Sequence, residues 1–161
     1  MKIQDIMTRE VRTCRFDTSL TEVARLMRAG SCGAIPVIDA DGHIAGVVTD
    51  RDISMALVNS TRKPINISAR EIMSRHVYAC LPDDDVRTAL QAMKEHRVRR
   101  LPVVAGTGRL VGIVSMDDVI LRALAPDAPD STEIVDSLRE IVLQQERNEL
   151  LEPAASGSLG G

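Results

Sequence analysis

The stretch Gly46-Val47-Val48-Thr49-Asp50-Arg51-Asp52 returns 66 residues later as Gly112-Ile113-Val114-Ser115-Met116-Asp117-Asp118. Aligned at that offset without a gap, residues 6–53 and 72–119 share thirteen identities, where average composition would give about three. A sequence that repeats at a fixed offset usually forms one supersecondary unit per copy, and each unit buries its apolar face against its neighbour. The 161-residue chain is therefore predicted to form one pseudo-symmetric domain.

Composition argues against several classes of protein. One Phe, one Tyr, no Trp and a net charge of −3 do not suit a protein that binds nucleic acid by base stacking and phosphate contacts. The start of the sequence lacks the apolar stretch of a signal peptide, and no segment reaches the ~20 apolar residues of a membrane span. We expect a cytoplasmic protein with neither nucleic acid nor a membrane as its partner.

The three cysteines support the same compartment. Cys14, Cys32 and Cys80 are odd in number and lack the spacing of metal ligands, which favours reduced thiols in the cytoplasm. Cys14 and Cys80 are equivalent positions of the two copies. We expect both to be small core residues.

Each copy predicts a β-α-β-β-α unit. In the first copy, residues 11–14 are a short strand candidate, and Ser19 with Glu22 forms a capping box ahead of apolar residues at helical spacing. Residues 34–38 and 44–48 are predicted strands joined by a turn, and a second helix is predicted from residue 49 to about 59. The proline at position 36 predicts an edge position or a bulge.

These patterns predict a fold of the α/β class, more closely described as α+β. Its predicted parts are repeat 1 over residues 1–61, an exposed link over 62–71, repeat 2 over 72–124, a C-terminal helix over 131–150 and a disordered tail over 151–161. The C-terminal helix is predicted to carry one apolar stripe, which needs a partner surface. The stripe consists of Ile134, Val135, Leu138, Ile141 and Val142.

Both strand-to-helix corners carry a hydroxyl followed three residues later by a carboxylate: Thr49 with Asp52, and Ser115 with Asp118. A helix N-terminus can hold an anionic phosphate with the hydroxyl as an additional donor, and a carboxylate can accept hydrogen bonds from a ribose diol. The same spacing is also a capping box that needs no ligand. The four residues alone leave both interpretations open.

The order of the β-α-β-β-α unit, the Ile/Leu-Pro-Val strand and the Gly-hydrophobic-x-hydrophobic-Thr/Ser-x-x-Asp corner resembles the cystathionine-β-synthase (CBS) domain. Its occurrence twice within residues 1–124 resembles a tandem CBS protein, a stand-alone Bateman module. The resemblance implies a non-enzymatic sensor, without catalytic residues, metal or catalytic cofactor. It also implies clefts between the repeats that bind an adenosine derivative: AMP first, or ADP, ATP, NAD or S-adenosylmethionine.

The resemblance further implies roles for single residues. In that family the hydroxyl of the corner contacts phosphate and the carboxylate holds the ribose. These roles would fall to Thr49 and Asp52 in one cleft and to Ser115 and Asp118 in the other. The implied nucleotide-binding set also includes Thr13, Asp50 and Ala79.

The two copies differ ahead of their proline-containing strands. The second copy has His96-Arg97-Val98-Arg99-Arg100 where the first has Gly30-Ser31-Cys32-Gly33-Ala34. The resemblance implies that Arg99 or Arg100 anchors the phosphate, for which a guanidinium is well suited. The small Gly33 and Ala34 could leave space for adenine. The alternative for the arginines is a solvated basic helix end.

Catalysis has little support in the sequence, because His43, His76 and His96 lie beside no candidate nucleophile or metal set. Two other functions stay open. One is a structural dimer with empty clefts that assembles through the C-terminal helix. The other is an Mg²⁺-responsive module that uses the acidic run 83–85, although a helix start capped by Asp85 is the commoner explanation of that run. As partners, the resemblance implies a second copy of the chain and an unknown regulated protein.

Overall fold

The computed structural model of the chain describes residues 1–151, with the side chains of residues 1–143. The predicted disordered tail lies outside these residues from position 152 onward. The elements in chain order are α1 (Ile3–Ile6), α2 (Leu20–Gly30), β1 (Ala34–Ile38), β2 (Ile44–Thr49), α3 (Asp50–Asn59), a 3-10 turn (Pro64–Asn66), α4 (Ala69–Ile72), α5 (Val86–His96), β3 (Arg100–Val104), β4 (Leu110–Ser115), α6 (Met116–Leu121) and α7 (Ser131–Leu151).

This arrangement is the α+β fold that the sequence predicts, with α7 as the C-terminal helix. In each repeat two strands pair antiparallel, β1 with β2 and β3 with β4. The strand candidates near residues 14 and 80 are reduced to isolated parallel bridges, Cys14 with Val37 and Cys80 with Val103. Among the described residues, none of the helices combines the length and hydropathy needed to span a bilayer.

Pro36 is accommodated because β1 needs no hydrogen-bond donor at that position. It lies opposite Val47 of β2, whose own N–H and C=O bond to Ser74 on the other side of that strand. On the outer side of β1, the Cys14 N–H donates to the Pro36 carbonyl and the Ile38 N–H donates to the Cys14 carbonyl, so the proline nitrogen is bypassed. The register shifts between Val37 and Ile38, directly after the proline.

The two repeats exchange their first segments, residues 3–8 and 69–74. Ile3 and Ile6 lie in the core of the second repeat, and Ala69 lies in the core of the first. Backbone hydrogen bonds also connect each exchanged segment to the other repeat. Thr8 and Ile113 of β4 share two hydrogen bonds of 2.9 Å, and Ser74 shares bonds of 2.9 and 3.0 Å with β2 at Val47. Each repeat therefore completes its core and its sheet with residues from the other.

Within the predicted exposed link, residues 62–66, 70 and 71 are exposed, whereas Ile67 and Ala69 are buried. Ile67 and Ala69 are 4% and 0% exposed, because α4 packs on the first repeat. Glu71 stabilises the start of α4 by accepting hydrogen bonds from the Ser68 N–H and from Arg62. The Arg62 hydrogen bond, followed by those from Ser68, lowers the pKa of Glu71 to about 2.

The prediction that Cys14 and Cys80 are core residues is confirmed. Their exposures are 5% and 6%. Burial raises the pKa of each thiol to about 11, so both stay protonated at neutral pH.

The C-terminal helix packs on the second repeat of its own chain. Ile134 and Ile141 are buried in that core, and Leu138 is partly buried against it. Val135 and Val142 are 60% and 40% exposed, so the predicted five-residue stripe is wrong at these two positions. The cause is geometric, since a helix crossing another helix makes contact along a narrow row at spacings of three and four residues.

Gly46 and Gly112 lie where the exchanged segments cross the sheets. A Cβ on Gly46 would lie 2.7 Å from Met73 Sδ and 2.8 Å from the Ser74 carbonyl oxygen. We expect Gly46→Ala to lower the free energy of unfolding by about 1–3 kcal/mol, because backbone must move to admit the methyl group. Urea denaturation measures this difference.

Gly106→Ala is the matched control, because a Cβ at position 106 would meet no atom within 4 Å. Its expected effect is below about 0.5 kcal/mol. Equal losses in the two variants would contradict the close crossing at Gly46.

Candidate functional site

A cleft of about 620 Å³, here called the central cleft, lies between the two repeats. Its walls come from the starts of β1 and β3, the end of β2, and residues 74–78 of the chain that follows α4. The segment exchange creates this cleft, because it brings Ser74 alongside Val47 at the wall. Six residues of the predicted set line it: Gly33, Ala34, Thr49, Asp50, Arg99 and Arg100.

The remaining residues of the predicted set lie elsewhere. Thr13 lines a second cleft of about 240 Å³ beside the hairpin turns, together with Arg9 and Arg109. Asp52, Ala79, Ser115 and Asp118 line neither of these two clefts. The structure thus brings Thr49 of the first corner together with the two arginines and leaves Asp52 and the second corner outside these clefts.

Both corners form complete capping boxes. Asp52 Oδ2 accepts hydrogen bonds from the Thr49 N–H and Oγ1, both at 2.7 Å, and Thr49 Oγ1 accepts from the Asp52 N–H at 3.2 Å. Ser115 and Asp118 repeat the arrangement at 2.8, 2.6 and 3.2 Å. Each carboxylate makes these bonds within its own corner through Oδ2.

Positive charge dominates the central cleft. Arg51, Arg97, Arg99 and Arg100 line it together with one carboxylate, Asp50. An excess of one sign of charge in a cleft concentrates ligands of the opposite sign. The arrangement can therefore hold an anion, with the start of α3 at one wall.

Gly33 lies against the start of α3 at the wall of the central cleft. A Cβ at this position would lie 2.9 Å from Asp50 Oδ2 and 3.7 Å from Arg100 Nη1, and the Gly33 carbonyl accepts from the Asp50 N–H at 3.1 Å. The space above Gly33 is thus taken by a carboxylate and a guanidinium. The Gly33 backbone thus lies between the start of α3 and Arg100 at the start of β3.

Sequence reasoning missed the segment 74–78, of which Ser74, His76 and Tyr78 line the central cleft. Tyr78 stacks on His96, with ring centroids 3.5 Å apart and an interplanar angle of 3°. The pattern within one repeat does not show that this segment joins the other repeat's sheet. One signal was present, since Tyr78 is the only tyrosine of the chain.

The acidic run before α5 does not form a shared cation site. Asp83 accepts from Gln4, Asp84 from the Leu81 N–H and Asp85 from the Arg87 N–H, so the three carboxylates serve three different donors. The prediction that Asp85 caps the helix is confirmed, and its bond to the Arg87 N–H lowers the pKa of Asp85.

One group of ligating side chains does lie together in the described part of the chain: Asp39, Asp41 and His43. Asp39 Oδ1 accepts from the N–H groups of residues 41 and 43, and Oδ2 lies 3.3 Å from the His43 ring. The His43 N–H contributes most to a lowered pKa of Asp39. These bonds close the hairpin turn, which explains the grouping.

Comparison with known proteins agrees with the fold and the repeat. The family model described as CBS domain matches residues 3–59 and 69–125. Two such domains in one chain define a tandem CBS pair, and the chain belongs to the CBS domain family.

Relatives of known sequence cover the same region. An uncharacterized protein from Methanopyrus kandleri is 30% identical over 120 residues, which are 74% of this chain and 61% of that protein. The CBS domain-containing protein YhcV from Bacillus subtilis is 33% identical over 129 residues, 80% of this chain and 90% of YhcV. A homoserine O-acetyltransferase from Methanohalophilus mahii is 34% identical over 119 residues, 74% of this chain, but the match spans only 24% of that enzyme.

Solved structures include two similar domain pairs with adenosine ligands. The CBS domain pair of protein MJ0100, in complex with 5′-methylthioadenosine and S-adenosyl-L-methionine, has a TM-score of 0.69 at 26% identity and covers 75% of this chain and 94% of that one. CBSX2 in complex with AMP has a TM-score of 0.68 at 26% identity and covers 76% and 96% of the two chains.

Two substitutions of Asp52 distinguish a role as helix cap from a role as ribose contact. We expect Asp52→Ala to lose about 1 kcal/mol of stability, because the Thr49 N–H loses its acceptor. Asp52→Asn keeps an oxygen acceptor and should lose less than half as much, while its affinity for a ribose nucleotide falls. Thermal denaturation and calorimetry with AMP measure the two effects.

The same pair of variants at Asp118 provides the comparison at the second corner. Variants that melt at lower temperature and yet bind AMP normally would show that the carboxylate serves only as a helix cap.

Proposed function

We propose that this CBS pair is a non-enzymatic regulatory module of the cytoplasm. It binds an adenine nucleotide in the central cleft and passes ligand occupancy to a regulated protein. The observation that carries the proposal is the convergence of Arg97, Arg99 and Arg100 on one cleft, next to Thr49 at the start of α3. Guanidinium groups are donors that suit phosphate, because they can form two parallel hydrogen bonds to its oxygens.

The charge of the cleft favours phosphate-bearing ligands among the adenosine derivatives. The MJ0100 and CBSX2 complexes support an adenosine moiety. S-adenosylmethionine has no phosphate and carries a net positive charge, which Arg97, Arg99 and Arg100 disfavour. AMP is the first candidate, and ADP, ATP and NAD share the phosphate that the arginines would hold.

Calorimetry with AMP, ATP, NAD and S-adenosylmethionine tests the proposal. We expect AMP to bind at micromolar to millimolar Kd and to raise the melting temperature. A ligand that binds only the folded state stabilises it by about 2.7 kcal/mol at a hundredfold excess over Kd. No heat and no melting shift with any of the four at millimolar concentration would overturn it and favour a structural protein with empty clefts.

The arginines should separate AMP from adenosine. Arg99→Gln with Arg100→Gln is expected to weaken AMP by about 10- to 150-fold, because a hydrogen bond to a charged group contributes ~1.5–3 kcal/mol. Adenosine lacks the phosphate and should bind as before. Arg28→Gln with Arg139→Gln removes the same number of charges from exposed positions of α2 and α7 and serves as the control. Equal losses for AMP and adenosine would mean that the two arginines are structural.

The proposal includes a homodimer that pairs through α3 and the end of α6. Met55 and Val58 of the first repeat are 48% and 80% exposed, and their equivalents Leu121 and Leu124 are 82% and 98% exposed. Two apolar patches at equivalent positions of a pseudo-symmetric domain suit pairing with a second copy about a twofold axis.

Sedimentation of the full chain tests the dimer. Val58→Asp with Leu124→Asp should give a monomer at tens of micromolar, because each aspartate would place a charge in an apolar contact. Val135→Asp, on the exposed face of α7, should leave the dimer intact. A monomeric unmodified protein, or a dimer that survives the double substitution, would contradict this interface.

A further inference from the structure

The central cleft carries a stacked aromatic pair at one wall. Tyr78 lines the cleft, and its ring lies parallel to the His96 imidazole at 3.5 Å between centroids. Tyr78 remains 43% exposed although His96 covers one face of the ring.

The first repeat holds a different pair at the equivalent positions. Residues 12 and 30 correspond to 78 and 96 at the repeat offset, and they are Arg12 and Gly30. Arg12 lies over Gly30, where a Cβ would come within 2.9 Å of Arg12 Cδ. Both repeats thus place the side chain at this position over the end of their first long helix. Only the second repeat makes it an aromatic plane with a second ring behind it.

We propose that Tyr78 is the base-stacking platform of the central cleft and that His96 is a positioning residue for it. The proposal rests on the proposed nucleotide binding and adds the residue that receives the base. A base stacked on an aromatic side chain gains about 1–3 kcal/mol. His96 holds the ring in one orientation before binding, so less side-chain entropy is lost when the base arrives.

The Tyr78 platform predicts which class of nucleotide binds as well as where its base lies. Stacking uses the π face of the base, and a purine offers a larger face than a pyrimidine. Arg97, Arg99 and Arg100 line the same cleft and provide for the phosphate. The central cleft should therefore prefer purine to pyrimidine nucleoside monophosphates, with the base at Tyr78 and the phosphate at the arginines.

The chain contains a single tyrosine and no tryptophan, so its intrinsic emission reports on Tyr78 alone. We expect AMP to quench this emission along the same curve that calorimetry gives for binding. Ribose 5-phosphate carries the sugar and phosphate without a base and should bind without quenching. CMP should bind more weakly than AMP.

Substitutions separate the platform from its support. Tyr78→Phe keeps the plane and should retain AMP affinity, whereas Tyr78→Leu should lose about 5- to 150-fold. Neither should change the affinity for ribose 5-phosphate. His96→Ala should weaken AMP and reduce the quenching without moving ribose 5-phosphate, and His96→Phe should restore both because it returns a ring behind Tyr78.

The outcomes distinguish this proposal from the one it rests on. AMP binding with unchanged tyrosine emission and normal affinity in Tyr78→Leu would overturn the platform and leave nucleotide binding intact. Equal losses of AMP and ribose 5-phosphate in the Tyr78→Leu variant would overturn it too, by assigning Tyr78 a structural role. An absence of AMP binding to the unmodified chain would overturn both proposals.

Discussion

The reciprocal exchange of first segments is the constraint on which the rest of the structure depends. Ser74 pairs with β2 and Thr8 pairs with β4, so each two-stranded sheet gains an edge from the other repeat. The crossings require glycine, because Met73 and Met7 lie against Gly46 and Gly112 at distances that leave no room for a Cβ. A domain joined in this way cannot separate into two folded halves without exposing both cores. The cleft between the repeats is consequently a fixed feature of the fold.

The exchange also explains why the aromatic pair and most of the basic residues of the central cleft come from the second repeat. It brings the chain around Tyr78 and the basic end of α5 to the strand ends of the first repeat, next to Thr49 and Asp50. The equivalent positions of the first repeat hold Arg12, Gly30 and Gly33, without an aromatic ring or an arginine pair. Pseudo-symmetry of the backbone therefore supports two corners with the same capping geometry, while the side chains concentrate positive charge at one of them.

The sequence predicts local features well, because they depend on neighbours along the chain. The turn and cap residues predict β1 at 34–38, the end of α3 near residue 59 and the start of α7 near Ser131. The structure has the three elements at these positions. The sequence does not predict features that depend on contacts between residues far apart along the chain. The pairing of Ser74 with β2, the burial of Ile67 and Ala69, and the exposure of Val135 follow from how segments cross, which composition and periodicity within one repeat do not determine. The same limit hid Tyr78, because the cleft that it lines forms only where the two repeats meet.

Hydrogen–deuterium exchange of the full chain with and without AMP tests the central claim most directly. A nucleotide held between the repeats should slow amide exchange in three separate stretches together: residues 47–52, 74–78 and 97–101, which come from both repeats and contribute to the central cleft. Saturating AMP that binds by calorimetry but leaves these three stretches unchanged, or protects a stretch of one repeat alone, would contradict a ligand site shared by the two repeats.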